Sequence, residues 1–262
     1  IIKAGRPVVS APQRPDALAV IERVAAERGA PLTLVGRDWQ WRYEGSEGTR
    51  QRLSLWRGGR GSDPDYAHLE IPLLGAHQLE NAANAVAAIE VLRERGFEIP
   101  KEAVRQGLAQ VRWPGRLEIL GHDPLVVLDG AHNVYSLQRL LEAVDAYLPH
   151  RRLLVVFGAG LTHNPGELIA ELAPHADRLL LTRAQHPKAA PVEELLAATR
   201  ALGYEAENHE IVAEALEQAR AAAAPEDLVL VTGSLFVVAG AREAWAQRHG
   251  WAPLPSDPPG VY

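Results

Sequence analysis

Residues 112–133, RWPGRLEILGHDPLVVLDGAHN, carry the strongest indication of the fold. Its apolar run, 125–128, has the leucyl and β-branched composition of a buried strand and ends abruptly at Asp129-Gly130. Polar residues that separate such a strand from a following helix lie at the carboxyl edge of a sheet, where open α/β sheets bind ligands. The stretch therefore predicts both a fold class and half of a binding site.

Residues 125–247 alternate short apolar runs with longer amphipathic segments. Strands are predicted at 125–128, 153–157, 178–182 and 228–232, and the polar segment 205–210 leaves room for one more short strand. Helices are predicted at 135–147, 167–173, 192–202, 212–223 and 236–247. This alternation indicates right-handed crossovers and a mostly parallel sheet. We therefore expect a Rossmann-like α/β domain over residues 117–262.

The chain before residue 112 has a different pattern. Strands are predicted at 8–10, 32–35, 39–43, 53–56 and 68–71, and helices from Pro15, at 82–95 and at 101–110. Residues 39–43 alternate in the period of two that is typical of antiparallel strands. We expect residues 1–111 to be the remainder of an α/β domain with a small antiparallel sheet, joined to the second domain by a hinge at 112–116.

The composition describes an ordinary globular protein, with 262 residues, 47% hydrophobic and 23% charged. The formal charge of -6 argues against nucleic acid or anionic membrane as the main partner, although the arginines of segment 50–60 leave a local basic patch open. No apolar run reaches the roughly 18 residues of a membrane span. With no cysteine there is no disulfide, no thiolate metal site and no cysteine nucleophile. The cytoplasm is the expected compartment.

Three polar residues follow the strand at 125–128. Asp129 has two interpretations, a carboxylate that accepts ribose hydroxyl hydrogens or an N-cap of the next helix. His132 and Asn133 come at the helix entrance, where backbone N–H groups and the helix dipole favour anions. Together the three predict a site at this junction.

Two further positions have both a functional and a structural interpretation. Arg116 follows a stiff Pro-Gly turn, so it fits an anion-binding fork or a salt bridge across the domain joint. Ser234 opens the last helix and is either part of an anion cradle or an ordinary N-cap. The Gly-rich loop 158–164 lacks the dinucleotide fingerprint, and the chain contains no P-loop pattern. His77 and Asn81 share a helix face, but their spacing is too loose for a metal pair and favours core or capping roles.

Four motifs occur together in this order. They are His77-Gln78-x-x-Asn81-Ala82, Trp113-Pro114-Gly115-Arg116-Leu117-Glu118, Asp129-Gly130-Ala131-His132-Asn133 and Thr232-Gly233-Ser234. With these motifs the chain resembles folylpolyglutamate synthase and its bifunctional dihydrofolate synthase relatives, within the Mur ligase superfamily. The resemblance covers nearly all of the chain.

The resemblance implies an ATP- and Mg²⁺-dependent ligase that is monomeric. ATP would phosphorylate a carboxylate of folate or dihydropteroate, and the amine of L-glutamate would attack the acyl phosphate. Asn81 would contact ATP at the adenine, Arg116 at the phosphates and Asp129 at the ribose. His132 and Ser234 would shape the glutamate pocket, with His132 as the candidate catalytic residue. Closure about 112–116 would shield the acyl phosphate from water.

The chain also departs from the family pattern. The family's P-loop and Mg²⁺ ligands precede the position that matches Ile1, and no Met occurs anywhere. We therefore expect the C-terminal part of a longer enzyme, inactive without its N-terminal part. Thr162-His163-Asn164 stands where many members have Asp-Lys-Asp, which questions any role for that loop. The alternatives are another Mur-superfamily amino-acid ligase and a non-catalytic nucleotide-binding module.

Overall fold

The computed structural model describes residues 1–61, 63–161 and 164–252. It divides into two compact units, Ile1–Arg112 and Trp113–Tyr262. Thr162-His163 and the last ten residues of the predicted domain 117–262 lie outside the described residues, as does Ser62. The hinge role of residues 112–116 stays a prediction.

The first unit combines a parallel strand pair with a three-stranded antiparallel sheet. Its elements are β1 (Val8–Ser10), α1 (Pro15–Glu27), β2 (Leu32–Leu34), β3 (Trp39–Glu47), β4 (Arg50–Arg57), β5 (Tyr66–Ile71), α2 (Ala76–Glu94) and α3 (Lys101–Ala109). Strand β4 pairs with both β3 and β5, and its leucines join a core with the inner face of α2. The predicted antiparallel sheet is confirmed.

Helix α2 begins six residues before the predicted start at Ala82. Gly75 has φ of 108°, so the chain turns sharply there and the helix starts at the next residue. Gln78 and Leu79, which follow, are already buried. The predicted start of the helix was wrong because most residues of 77–81 are polar. They hide a buried face that only the packing reveals.

Three of the four arginines of segment 50–60 pair with acids. Arg50 pairs with Glu70, Arg52 with Glu47 and Arg57 with Glu94. These acids neutralise three of the segment's four arginines, which weakens the basic-patch interpretation, whereas Arg60 donates to the Trp41 carbonyl at 2.7 Å.

The second unit is a six-stranded sheet with the order β10-β9-β8-β11-β7-β6. Its elements are β6 (Glu118–Gly121), β7 (Leu125–Leu128), α4 (Val134–Tyr147), β8 (Leu153–Phe157), α5 (Pro165–Leu172) with a 3₁₀ turn (Ala173–His175), β9 (Arg178–Thr182), α6 (Val192–Ala201), β10 (Glu207–His209), α7 (Val212–Ala222), β11 (Leu228–Thr232) and α8 (Leu235–His249). Only β6 runs antiparallel, against β7. The mostly parallel sheet is confirmed.

Central strands β8 and β11 are buried along their whole length, as their continuous apolar sequences require. Helices α4, α5 and α6 pack in series, while α7 packs with α8. From β7 the chain passes over β11 to β8, and β9 and β10 then follow outward from β8. Since β6 lies on the opposite side of β7, the direction of strand order reverses next to β11. Such a switch point places a crevice at the carboxyl ends of β7, β11 and β8. None of the helices described is long and apolar enough to cross a membrane.

Candidate functional site

Asp129 lies directly after β7 and is only 7% exposed. One carboxylate oxygen accepts the Leu117 N–H at 3.0 Å, and the other accepts the Ala131 N–H at 2.8 Å. Burial raises the pKa of Asp129, whereas these two N–H donors and the charge of Arg116 oppose that shift. The carboxylate is therefore held rigidly at the edge of the sheet by backbone on both sides.

The interpretation of Asp129 as a helix N-cap is wrong. The cap of α4 is Asn133, whose side chain accepts the Ser136 N–H at 2.9 Å. The Ser136 hydroxyl in turn accepts the Asn133 N–H at 3.1 Å, which completes a capping box. Residues 129–132 thus form a loop between strand and helix, because the first helical turn is stabilised only at Asn133.

The turn that carries Arg116 is fixed by three hydrogen bonds. Gly130 N–H donates to the Gly115 carbonyl at 2.9 Å, and Gly115 N–H donates to Glu118 at 2.9 Å. The other Glu118 oxygen accepts from Arg242 of α8 at 2.8 Å. A Cβ added to Gly130 would lie 2.6 Å from Arg116 Nη1, so the guanidinium rests directly against this backbone.

Arg116 is half-buried and close enough to Asp129 for their charges to interact. Within the residues that the structure describes, its guanidinium forms no ion pair. The salt-bridge interpretation therefore has no support there, and the structure brings Arg116 and Asp129 together at one junction.

The ring of His132 is oriented by its own loop. Nδ1 lies 2.8 Å from the Gly130 carbonyl, which can only accept, so Nδ1 carries the hydrogen. In the neutral ring the lone pair is then on Nε2. The imidazole can accept a proton there or donate one when it is charged.

Ser234 is the N-cap of α8, and its hydroxyl accepts the Phe236 N–H at 3.2 Å. The N-cap interpretation is confirmed. Gly233 N–H donates to the Ala131 carbonyl at 3.0 Å, which ties the loop after β11 to the loop after β7. This tie brings Ser234 and His132 to the same cavity.

The cavity has a volume of about 170 Å³. Its lining comes from the loops that follow β7, β8, β9 and β11: His132, Gly160, Ala184, His186, Lys188, Ala189, Gly233, Ser234, Leu235 and Phe236. It is smaller than the roughly 300–1,000 Å³ typical of sites for drug-sized ligands and suits a smaller molecule. Among the described residues, no Asp or Glu lines it, whereas one Lys, two His and the N-terminus of α8 do. The chemistry favours a small anion.

Sequence reasoning missed His186 and Lys188. Both lie in the loop after β9, at the same carboxyl edge of the sheet as the predicted residues. The rule that polar residues just after a strand mark a binding site was applied to the strands at 125–128 and 228–232. Applied to the strand at 178–182, it would have found these two residues in the loop that follows.

Asn81 lies on α2 of the first unit, whereas the other candidate residues lie in the second unit. It is exposed, and its amide donates to the Gln78 side chain at 3.2 Å. The N-cap of α2 is Gly75. The interpretation of Asn81 as a core or capping residue is therefore wrong.

Among the described residues, no three His, Asp or Glu side chains gather into a group that could hold a metal ion.

A model of the Mur ligase glutamate ligase domain matches residues 115–235. A probable bifunctional folylpolyglutamate synthase/dihydropteroate synthase of Halobacterium salinarum is 37% identical over 234 residues, which are 88% of this chain and 27% of that protein. The dihydrofolate synthase/folylpolyglutamate synthase of Bacillus subtilis is 29% identical over 93% of this chain and 55% of its own length. The chain thus spans about half, or less, of the length of these relatives.

Solved structures of proteins with related names are also similar to this chain. Folylpolyglutamate synthase of Mycobacterium tuberculosis, complexed with ADP and AMPPCP, has a TM-score of 0.80 at 27% identity, over 94% of this chain and 56% of that one. FolC of Escherichia coli, in complex with DHPP and ADP, has a TM-score of 0.75 at 28% identity, over 94% and 55%. The Yersinia pestis relative, complexed with AMPPNP and a Mn ion, has a TM-score of 0.72 at 26% identity, over 94% and 54%.

Proposed function

Because the chain carries the Mur ligase glutamate ligase domain and is homologous to folylpolyglutamate and dihydrofolate synthases, we propose that it serves ATP-dependent addition of L-glutamate to a folate or to dihydropteroate. The single observation that carries the proposal is the acid-free cavity at the carboxyl edge of the second sheet, bordered by His132 and Ser234. An amino acid with two carboxylates matches this lining in size and charge.

Ser234 and the N-terminus of α8 would hold a carboxylate of glutamate. The amides of the first helical turn have no intrahelical acceptor, so they offer donors to an anion together with the helix dipole. The Gly233–Ala131 hydrogen bond supports this assignment, since it fixes the cavity wall before any ligand binds.

His132 would act on the amine of glutamate. Attack on the acyl phosphate forms the amide C–N bond, breaks the C–O bond to phosphate and leaves a proton on nitrogen. A neutral imidazole whose Nδ1–H is bound to the Gly130 carbonyl can accept this proton at Nε2. The released phosphate carries away the electron pair of the broken bond.

Asp129 and Arg116 would face the nucleotide. Each carboxylate oxygen of Asp129 accepts one N–H and keeps a second lone pair for a ribose hydroxyl. Arg116 would contact the phosphates, and Asn81 of the first unit would contact the adenine. Mg²⁺ would neutralise phosphate charge, and we assign it no ligand among the described residues.

The test is a ligation assay on the full-length protein with ATP, Mg²⁺ and L-glutamate. Folate, dihydropteroate and a UDP-sugar precursor are offered separately, and product mass is measured. We expect glutamate addition to a pteridine acceptor, and we expect the His132→Gln variant to lose about 10²-fold or more in kcat.

Transfer to the UDP-sugar alone would assign the protein to another Mur-superfamily ligase and overturn the folate proposal. ATP binding without any ligation would favour the non-catalytic module. The Arg183→Gln variant is the matched control, because Arg183 lines a neighbouring groove and not the cavity.

A further inference from the structure

The loop after β9 forms the cavity wall that faces away from β7. Leu161 N–H donates to the Lys188 carbonyl at 2.8 Å, and Ala190 N–H donates to the Ala159 carbonyl at 2.9 Å. Inside the loop, Ala189 N–H donates to the His186 carbonyl at 3.0 Å. The backbone of Lys188 is therefore held on both sides at the border of the cavity, which limits where its side chain can reach.

His186 links this loop to α8. Its ring stacks on Phe236, with 3.8 Å between ring centroids and 15° between planes. Its Nδ1 accepts the Lys188 N–H at 3.2 Å, so the neutral ring carries its hydrogen on Nε2. The stack fixes Lys188 relative to the helix N-terminus that Ser234 caps.

Lys188 brings a charge that the described residues do not neutralise. In the described part of the chain it forms no ion pair with any acid, and no Asp or Glu there lines the cavity. Arg183 of the same loop differs, because its groove is lined by Glu210 and Glu243. An exposed lysine at the border of a cavity with no Asp or Glu among its described lining residues can bind a carboxylate without first breaking an internal pair.

The sheet determines the distance between two walls of the cavity, the one that follows β9 and the one that follows β11. Strands β9 and β11 both pair with β8, so their axes lie about 10 Å apart. A flexible lysine chain from one side can reach across part of this gap, and a short dicarboxylate can fill the remainder.

We infer that Lys188 binds the side-chain carboxylate of the incoming amino acid, while Ser234 and the N-terminus of α8 hold its α-carboxylate. Lys188 thereby makes the cavity selective for an acidic amino acid over its amide. This inference rests on the proposed function and adds the residue that decides which amino acid is ligated.

The experiment uses Lys188→Gln, Lys188→Arg and the control Arg183→Gln in the full-length protein. Steady-state ligation is measured with L-glutamate and with L-glutamine, each at saturating ATP, and then with ATP varied. We expect Lys188→Gln to raise the KM for glutamate about 10- to 100-fold, the range of a lost charged hydrogen bond. The KM for ATP should stay unchanged, and the preference for glutamate over glutamine should fall by the same factor.

Lys188→Arg keeps the charge and should restore most of the glutamate affinity, and Arg183→Gln should behave as the wild type. Thermal unfolding of each variant separates binding from folding. A wild-type KM for glutamate in Lys188→Gln would overturn the inference and leave the proposed function standing. An equal loss of kcat in both Lys188 variants without a change in this KM would also overturn it. A wild type that ligates no glutamate overturns the proposed function and the inference with it.

Discussion

Gly233 lies in the turn between β11 and α8, where both the backbone conformation and the available space require a glycine. Its φ is +100°, a value that side chains rarely adopt. A Cβ at this position would lie 2.5 Å from the Phe157 ring and 2.6 Å from the Gly158 carbonyl oxygen. The turn can thus approach the loop after β8 closely only because residue 233 has no side chain.

We predict that Gly233→Ala destabilises the protein by more than about 1 kcal/mol, because the strained φ and the backbone clash add. Urea unfolding gives the free energy. The matched control is Gly203→Ala, which has φ of +82° but nothing within 4 Å of the added Cβ. Equal losses in the two variants would show that φ alone matters and that the close approach does not.

At the scale of elements, α8 packs closely against β6 at Gly121. A Cβ added to Gly121 would lie 2.6 Å from the indole of Trp245, which is itself 5% exposed. The same indole stacks on His249 at 4.1 Å and lies under Arg220 at 4.7 Å, so it cannot easily move away. The Gly121 end of β6 is therefore part of the surface against which α8 packs.

Gly121→Ala should cost about 1–3 kcal/mol, the usual range for overpacking a fitted contact. Gly107→Ala is the control with the opposite sign, since Gly107 lies exposed in α3 with open space around it and should stabilise by about 0.5–1 kcal/mol. The double variant Gly121→Ala/Trp245→Leu tests the cause. If removing the indole leaves the alanine penalty unchanged, the clash is not its source.

Over the whole molecule, carboxylates in both units are held in the charged form. Hydrogen bonds from Arg152, opposed by burial, together with the Ala224 N–H and Arg151, hold the pKa of Asp227 well below its ordinary value. Hydrogen bonds from Arg178 lower the pKa of Glu207, and those from Arg37 lower that of Asp38. A lowered folded pKa contributes stability above the unfolded value, and this stability is lost as pH falls through the folded pKa.

We predict that stability is level near neutral pH and falls below about pH 4, the unfolded pKa of an aspartate. Asp227→Asn should be less stable at pH 7 and lose less on further acidification, because its contribution is already gone. Urea midpoints at several pH values measure both effects. Asp16→Asn, at a side chain that is 78% exposed, should match the wild type throughout. Parallel pH curves for the wild type and Asp227→Asn would contradict the prediction.

Local patterns in the sequence determined the order of strands and helices, the two kinds of sheet and the junctions that carry Asp129, His132 and Ser234. These features depend on neighbours a few residues apart, where apolar periodicity and turn residues act directly. The start of α2 was missed because its first buried residues pack against distant strands.

The partners of these residues follow from the tertiary structure alone. Asp129 is held by Leu117 from the turn before β6, and the cavity joins loops that follow four different strands. Lys188 enters it because β8 and β9 pair side by side, a contact that closes between residues distant in the chain. Such contacts depend on how strands are ordered in the sheet, and local composition does not encode that order.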